Sequence, residues 1–178
     1  MPASVELFKR YANPVFIETG TYLGDGIKQA LAAGFPVVRS VELSDKLFEE
    51  NVCRFANRAN VRIFHGSSEG ELAKMIADIK EPITFWLDAH YSAGITAKGD
   101  ENSPVLKELR IIAGHPIKTH TILIDDRRQV GTADFDFVTE AQIRDAILAI
   151  NPAYRFSYDT GSDSHPMFLN DVIVAQVS

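Results

Sequence analysis

Three aspartates that follow apolar runs have chemistry suited to a metal ion. Asp88 comes directly after the apolar run 83–87, and Asp125 and Asp126 come after the run 121–124. If both runs are adjacent strands, ~4.8 Å apart, the carboxylates would repel one another unless a cation or a proton offset their charge. Carboxylate oxygens suit a hard divalent ion such as Mg²⁺. We therefore predict a divalent-metal site at Asp88, Asp125 and Asp126.

The adjacency of Asp125 and Asp126 sets a condition on that prediction. Consecutive side chains of an extended strand point to opposite faces of the sheet. Both carboxylates can therefore reach one ion only if the chain leaves the extended conformation at this point.

A second candidate site is the glycine-containing segment 15–26, which reads V-F-I-E-T-G-T-Y-L-G-D-G. An apolar run ends at Glu18, and the chain then turns through Gly20 and Gly24 into a helical pattern. Glycines allow close backbone approach, and the start of a helix offers unpaired N–H groups and a positive dipole end. Such a turn suits a nucleotide-like ligand that carries a carboxylate or a phosphate. The spacing G-T-x-x-G matches the dinucleotide fingerprint G-x-G-x-x-G poorly.

Two further strand ends supply polar groups. Glu42 ends the run 36–42, where a carboxylate can accept hydrogen bonds from both hydroxyls of a ribose. The same acid would serve NAD, so Glu42 alone does not identify a cofactor. His65-Gly-Ser-Ser follows a third run, and Ser68 with Glu71 fits the capping box of a new helix.

The apolar patterns predict the elements that would position these residues. Five strand–helix units are followed by two strands, 154–158 and 172–177, with no helical pattern between them. We predict an α/β fold with a Rossmann-like doubly wound sheet, parallel except for a C-terminal antiparallel hairpin strand. Ligands of such sheets bind beyond the carboxyl ends of the strands. The acids named above all lie on this rim.

Length and composition favour one domain, 1–178, of ordinary globular character. The chain has 178 residues, of which 46% are hydrophobic and 24% charged. The net charge of −6, with scattered lysines and arginines, gives little reason to bind nucleic acid or an anionic membrane. Because the sequence has one cysteine, Cys53, and no apolar run near the ~20 residues of a membrane span, we expect a cytoplasmic protein.

The motifs, taken in chain order, resemble a known family. E-T-G-T-x-x-G, Glu42, G-S-S, Asp88 and Asp125-Asp126 resemble class I S-adenosylmethionine-dependent methyltransferases, and within them the Mg²⁺-dependent O-methyltransferases related to the catechol and macrocin enzymes. The resemblance implies S-adenosylmethionine and Mg²⁺ as cofactors. It implies a cofactor-binding set of Glu18, Thr19, Gly20, Thr21, Tyr22, Gly24, Glu42, Leu43, Gly66, Ser67, Ser68 and Asp88.

The resemblance leaves the general base open. Catechol-type enzymes have a lysine three residues beyond the first metal aspartate, whereas this chain has Tyr91. His90 and Lys98 are the substitutes, and His90 is preferred because the pKa of an unperturbed histidine is near neutrality. Contacts with the acceptor would come from the segments 89–102, 127–138 and 159–171, or from another subunit of a homodimer.

The function expected from these features is O-methylation of a small-molecule hydroxyl. One alternative is a non-catalytic module that binds the nucleoside cofactor and transfers nothing. A metal-dependent hydrolase is another, because Trp86-Leu-Asp-Ala-His90 resembles the D-A-H segment of ureohydrolases such as arginase. An NAD-dependent oxidoreductase is a third, and the glycine spacing disfavours it.

Overall fold

The computed structural model describes residues 4–89, 102–161 and 168–177. The helices are α1 Val5–Arg10, α2 Asp25–Ala33, α3 Asp45–Arg54, α4 Ser68–Ile76, α5 Val105–Gly114 and α6 Glu140–Ile150. The strands are β1 Val15–Thr19, β2 Val37–Glu42, β3 Val61–His65, β4 Ile83–Leu87, β5 Thr121–Ile124, β6 Tyr154–Asp159 and β7 Val172–Val177. None of the helices in these ranges has the length and apolar character to cross a bilayer.

The strands form one seven-stranded sheet in the order β3-β2-β1-β4-β5-β7-β6. Parallel pairing joins β1 to β2 and β4, β2 to β3, and β4 to β5. Strand β7 is antiparallel to both β5 and β6. The predicted parallel sheet with a C-terminal hairpin is therefore confirmed. The order reverses between β1 and β4, which places their carboxyl ends at the switch point where such sheets bind ligands.

Both faces of the sheet are covered by helices. Alternate residues of each strand point to opposite faces, so the apolar side chains on each face pack against a helical layer. On one face, Ile17 and Phe85 belong to a core that includes residues of α4, α5 and α6. On the other face, Phe16 and Trp86 pack with residues of α1 and α2. Strands buried on two sides read as continuous apolar runs, which is why the polar residues at their ends stood out in the sequence.

The start of α4 differs from the sequence pattern, and the N-cap of α5 is Pro104, with no side-chain cap, where the pattern predicts a Ser103 cap before an N1 proline. Thr139 and Gln142 form the reciprocal capping box of α6, and the Ser44 side chain caps α3. The predicted cap of α4 at Ser68 is wrong by one residue. Ser67 has the extended conformation of an N-cap, with its side chain accepting from the Gly70 N–H, and Ser68 is already helical and buried. Helix α4 therefore starts one residue before the predicted position, because the Ser67 hydroxyl also fits the capping role.

Candidate functional site

The three predicted metal ligands meet at the carboxyl edge of the sheet. Asp88 follows β4, Asp125 and Asp126 follow β5, and one carboxylate oxygen from each lies within 4.8 Å of the others. Asp126 has φ 56° and ψ 43°, so the chain leaves the extended conformation where the sequence argument required it. This bend brings two consecutive side chains to one point. The convergence is present, and the metal-binding role of the cluster stays a prediction.

Burial and mutual repulsion disfavour negative charge in this cluster. Asp125 and Asp126 are 2% and 3% exposed. Burial, and then repulsion from Asp125, raises the pKa of Asp88 well above its ordinary value. Burial likewise raises the pKa of Asp125, and repulsion from Asp126 adds to the shift. A bound cation would remove both penalties, and three carboxylates are a ligand set that fits a hard divalent ion.

The glycine turn after β1 contacts the acidic cluster directly. Gly20 has φ +85°, and a Cβ placed there would lie 2.6 Å from the backbone oxygen of Asp88. The Asp88 N–H in turn donates to the Thr19 carbonyl and to the Thr19 hydroxyl, each at 3.2 Å. Only a glycine allows this approach without strain. The turn predicted to hold the cofactor and the cluster predicted to hold the metal therefore form one surface.

Glu18 lies beneath the turn instead of facing the rim. It is 2% exposed, and its Oε2 accepts a hydrogen bond of 2.6 Å from the Ser40 hydroxyl. A Cβ at Gly26, in the first turn of α2, would collide with Oε1 of the same carboxyl. Burial raises the pKa of Glu18 to about 8, although the Ser40 hydrogen bond opposes the shift. Burial therefore favours the uncharged form of Glu18, which supports the turn from beneath.

Sequence reasoning missed Ser40, although a signal was present. Ser40 is fully buried in a strand that is otherwise mostly apolar, and it pairs in register with Glu18 on β1. Its hydroxyl also lies 2.7 Å from the Thr21 hydroxyl, so it links two predicted cofactor residues. A polar residue opposite a buried acid in the neighbouring strand indicates such a bond, but only once strand register is known.

Glu42 joins the glycine turn to the start of α3. Its Oε2 accepts from the Tyr22 N–H at 2.8 Å, and its Oε1 accepts from the Ser44 N–H at 2.9 Å. A carboxylate offers about four acceptor positions, so these two donors leave capacity for ribose hydroxyls. Tyr22, with φ 46°, is 44% exposed beside it. Asn51, which the sequence analysis did not select, donates to the Tyr22 carbonyl at 2.6 Å and anchors this turn on α3.

The remaining predicted residues fall into two groups. Leu43 and Gly66 follow β2 and β3, whose last residues are in register, so they share the rim with Glu42. Ser67 and Ser68 begin α4 beside them. The predicted bases His90 and Lys98 lie outside the described residues.

Comparison with known proteins identifies the fold. No protein-family model matches the sequence, and no curated protein is significantly similar to it. The O-methyltransferase TomG from Streptomyces achromogenes, solved in complex with SAM, has a TM-score of 0.63 at 12% identity, covering 98% of this chain and 77% of that chain. The O-methyltransferase from Bacillus cereus, solved with SAH, has a TM-score of 0.62 at 15% identity, covering 98% and 78%. The chain has the class I methyltransferase fold.

The same fold is also found in a protein named for a different reaction. Spermidine synthase from Thermotoga maritima has a TM-score of 0.64 to this chain at 11% identity, covering 99% of this chain and 58% of that chain. A class I methyltransferase fold therefore does not by itself name the reaction. The chemistry has to be argued from the rim residues.

Proposed function

We propose that the protein is an S-adenosylmethionine-dependent O-methyltransferase that acts on a small-molecule hydroxyl with the help of a divalent metal. The observation that carries the proposal is the direct contact between the Gly20 turn and Asp88. A methyl donor held by the turn and a cation held by Asp88, Asp125 and Asp126 would be neighbours. Methyl transfer to a metal-bound hydroxyl needs this adjacency.

The cofactor would lie along the rim from β1 to β3. Its methionine carboxylate suits the N-terminal end of α2, where N–H groups and the helix dipole favour an anion. The ribose hydroxyls would donate to Glu42, which lies at the end of the adjacent strand. The adenine would lie near Gly66, Ser67 and Ser68. The left-handed backbone at Gly20 and Gly24 supports this placement because it keeps side chains out of the turn.

The reaction we propose is a displacement at the sulfonium methyl group. The acceptor oxygen forms a bond to the methyl carbon while the carbon–sulfur bond breaks, leaving S-adenosylhomocysteine, and the hydroxyl proton passes to a base. A divalent cation, when bound, would lower the pKa of the acceptor hydroxyl. Asp88, Asp125 and Asp126 are the residues that would hold it. His90 and Lys98 stay the predicted bases.

The same proposal covers the acceptor, the cellular location and the partners of the protein. Exposed Phe137 and Leu169 lie in two of the segments from which acceptor contacts were predicted, 127–138 and 159–171, and support an acceptor with an apolar part. We place the protein in the cytoplasm, as the single cysteine suggests, with no nucleic-acid or membrane partner. A homodimer would be a second source of acceptor contacts.

Isothermal titration calorimetry with S-adenosylhomocysteine and Mn²⁺ tests the proposal. We expect the homocysteine analogue to bind, and Mn²⁺ to bind more tightly in its presence. Asp88→Asn should weaken Mn²⁺ binding by more than the ~10- to 100-fold that loss of a residue supporting a metal ligand costs, since one of three charged ligands is lost. Asp145→Asn, at an exposed position on α6, is the matched control and should bind Mn²⁺ like the unchanged protein.

The possible outcomes separate the alternatives. No binding of the homocysteine analogue, with or without metal, would remove the cofactor assignment. Binding of the analogue by a protein that methylates no hydroxyl compound would favour the non-catalytic module. Release of urea by a protein with two bound Mn²⁺ ions would favour the hydrolase.

A further inference from the structure

Asp171 and Arg128 contact the turn that carries Asp126, and the sequence pattern predicted acceptor contacts, not this contact, for the segments in which they lie. Asp171 immediately precedes β7 and is 3% exposed. Its carbonyl accepts from the Arg127 N–H at 2.8 Å, and its Oδ1 accepts from the Arg128 N–H at 2.8 Å. Its Oδ2 accepts from the Arg128 guanidinium. These contacts tie the turn after β5 to the start of the hairpin strand.

The Arg128 side chain also reaches the acidic cluster. Its guanidinium forms an ion pair with Oδ1 of Asp126, and the Gln129 amide donates to Oδ2 of the same carboxylate at 3.2 Å. Asp126 has a left-handed backbone, which aspartate tolerates better than most residues with a Cβ but which surrounding contacts still help to hold. Arg128 and Asp171 provide such contacts on both sides of this turn.

We propose that Arg128 and Asp171 form a clamp that positions Asp126 in the acidic cluster. The inference rests on the proposed metal site, and it assigns a task to the C-terminal hairpin, which supplies Asp171. Neither clamp residue belongs to the group of oxygens that could hold one ion. Both are therefore positioning residues. Residues that hold a metal ligand without touching the metal orient that ligand and tune the affinity of the site.

The clamp is distinguished from a simple charge effect by removing both of its charges together. The double variant Arg128→Met/Asp171→Asn loses one positive and one negative charge, so the net charge beside Asp126 is unchanged. A role in positioning predicts that Mn²⁺ binding, measured by calorimetry with saturating S-adenosylhomocysteine, weakens by about 10- to 100-fold. The affinity for S-adenosylhomocysteine should stay unchanged. A purely electrostatic role predicts unchanged or tighter Mn²⁺ binding, because the positive charge that is lost lies in contact with Asp126, and either result would overturn the clamp.

A matched control removes a different ion pair. Arg39 on β2 makes two hydrogen bonds to the Asp78 carboxylate, at 2.5 and 2.9 Å. The double variant Arg39→Met/Asp78→Asn is charge-neutral in the same way and should bind Mn²⁺ like the unchanged protein. Arg128→Lys serves as a milder variant should the clamp double variant fail to fold. It keeps the charge but replaces the guanidinium, whose Nη1 contacts both Asp126 and Asp171, with a shorter ammonium side chain, so it should also weaken Mn²⁺ binding, and unchanged binding would overturn the clamp.

A metal-free measurement separates the clamp from the proposed function. Absence of Mn²⁺ binding by the unchanged protein would overturn the metal proposal itself. A crystal structure of the Arg128→Met/Asp171→Asn variant without metal should show Asp126 outside the left-handed region and its carboxylate moved away from Asp88 and Asp125. A retained Asp126 conformation would overturn the clamp whatever the metal results.

Discussion

Acids that look alike in the sequence have different surroundings at the rim. Glu18 is buried beneath the turn, where burial raises its pKa to about 8 and its neighbour is a serine hydroxyl. Glu42 accepts hydrogen bonds from two backbone N–H groups, those of Tyr22 and Ser44. Asp88 and Asp125 face one another's charge. The surroundings therefore distinguish a supporting acid, the acid proposed to bind the ribose, and two of the three acids proposed to hold a metal.

Gly20 and Gly131 allow a matched test of the close approach to Asp88. Both have φ +85°, but a Cβ at Gly131 would meet nothing within 4 Å, whereas one at Gly20 would meet the Asp88 backbone oxygen at 2.6 Å. Gly131→Ala should lower the free energy of unfolding by about 1–2 kcal/mol through backbone strain alone. Gly20→Ala should cost about 1–3 kcal/mol more through overpacking, and it should weaken S-adenosylhomocysteine binding. Equal losses in urea unfolding would contradict the close approach.

The starts of the parallel strands carry different chemistry from their carboxyl ends. At the start of β4, away from the site, the Ile83 N–H donates to Nδ1 of His120 at 3.1 Å. His120 then carries its proton on Nε2 and donates to Nδ1 of His115 at 3.1 Å, and His115 donates from Nε2 to the Ile79 carbonyl at 3.1 Å. This chain of bonds needs both imidazoles neutral. It fixes the start of β4 to the segment before β5.

The histidine chain predicts a pH dependence of stability. Burial, and then the neighbouring His115, lowers the pKa of His120 from 6.5 to about 4. Below pH 6.5 the unfolded chain binds more protons at His120 than the folded chain. The free energy of unfolding should therefore gain about 1.4 kcal/mol per pH unit from this group as pH rises from 4 to 6.5. His120→Asn should lack this gain, so its stability deficit should widen over that range. Parallel stability curves would show that His120 does not titrate as described.

At the scale of the whole molecule, strand order creates the site. The reversal between β1 and β4 places the glycine turn beside Asp88, although 67 residues of chain lie between Gly20 and Asp88. Strand β7, inserted between β5 and β6, brings Asp171 to the same edge. Two helical layers bury the strands, so polar groups are concentrated at their ends. The rim is thus a property of the assembled sheet.

The rise in Tm on ligand binding tests whether the residues at the carboxyl ends of the strands together form one cofactor site. A ligand that binds only the folded state at about 100 times its Kd adds about 2.7 kcal/mol to the free energy of unfolding. For a chain of this size, S-adenosylhomocysteine should then raise the Tm by about 5–10 °C in a thermal-shift measurement. NADH at the same concentration should leave the Tm unchanged because the glycine spacing disfavours a dinucleotide. A larger shift with NADH would favour the oxidoreductase alternative.

The sequence by itself determined the elements, their direction and the residues at their ends. Apolar runs bounded by turn residues gave the parallel strands, and the absence of a helical pattern between 158 and 172 gave the antiparallel hairpin. The condition on Asp125 and Asp126 followed from strand geometry, and the bend at Asp126 met it. These features depend on near neighbours in the chain, whose effects on backbone conformation are local.

Only the tertiary structure decided which distant residues touch. Ser40 lies against Glu18 because β1 and β2 are in that register, and Arg128 meets Asp171 because β7 lies next to β5. The burial that raises the pKa of Glu18 is likewise a consequence of α2 packing over it. Strand register, strand order and burial are set by the free energy of the whole packed sheet. No local pattern in the sequence encodes them separately.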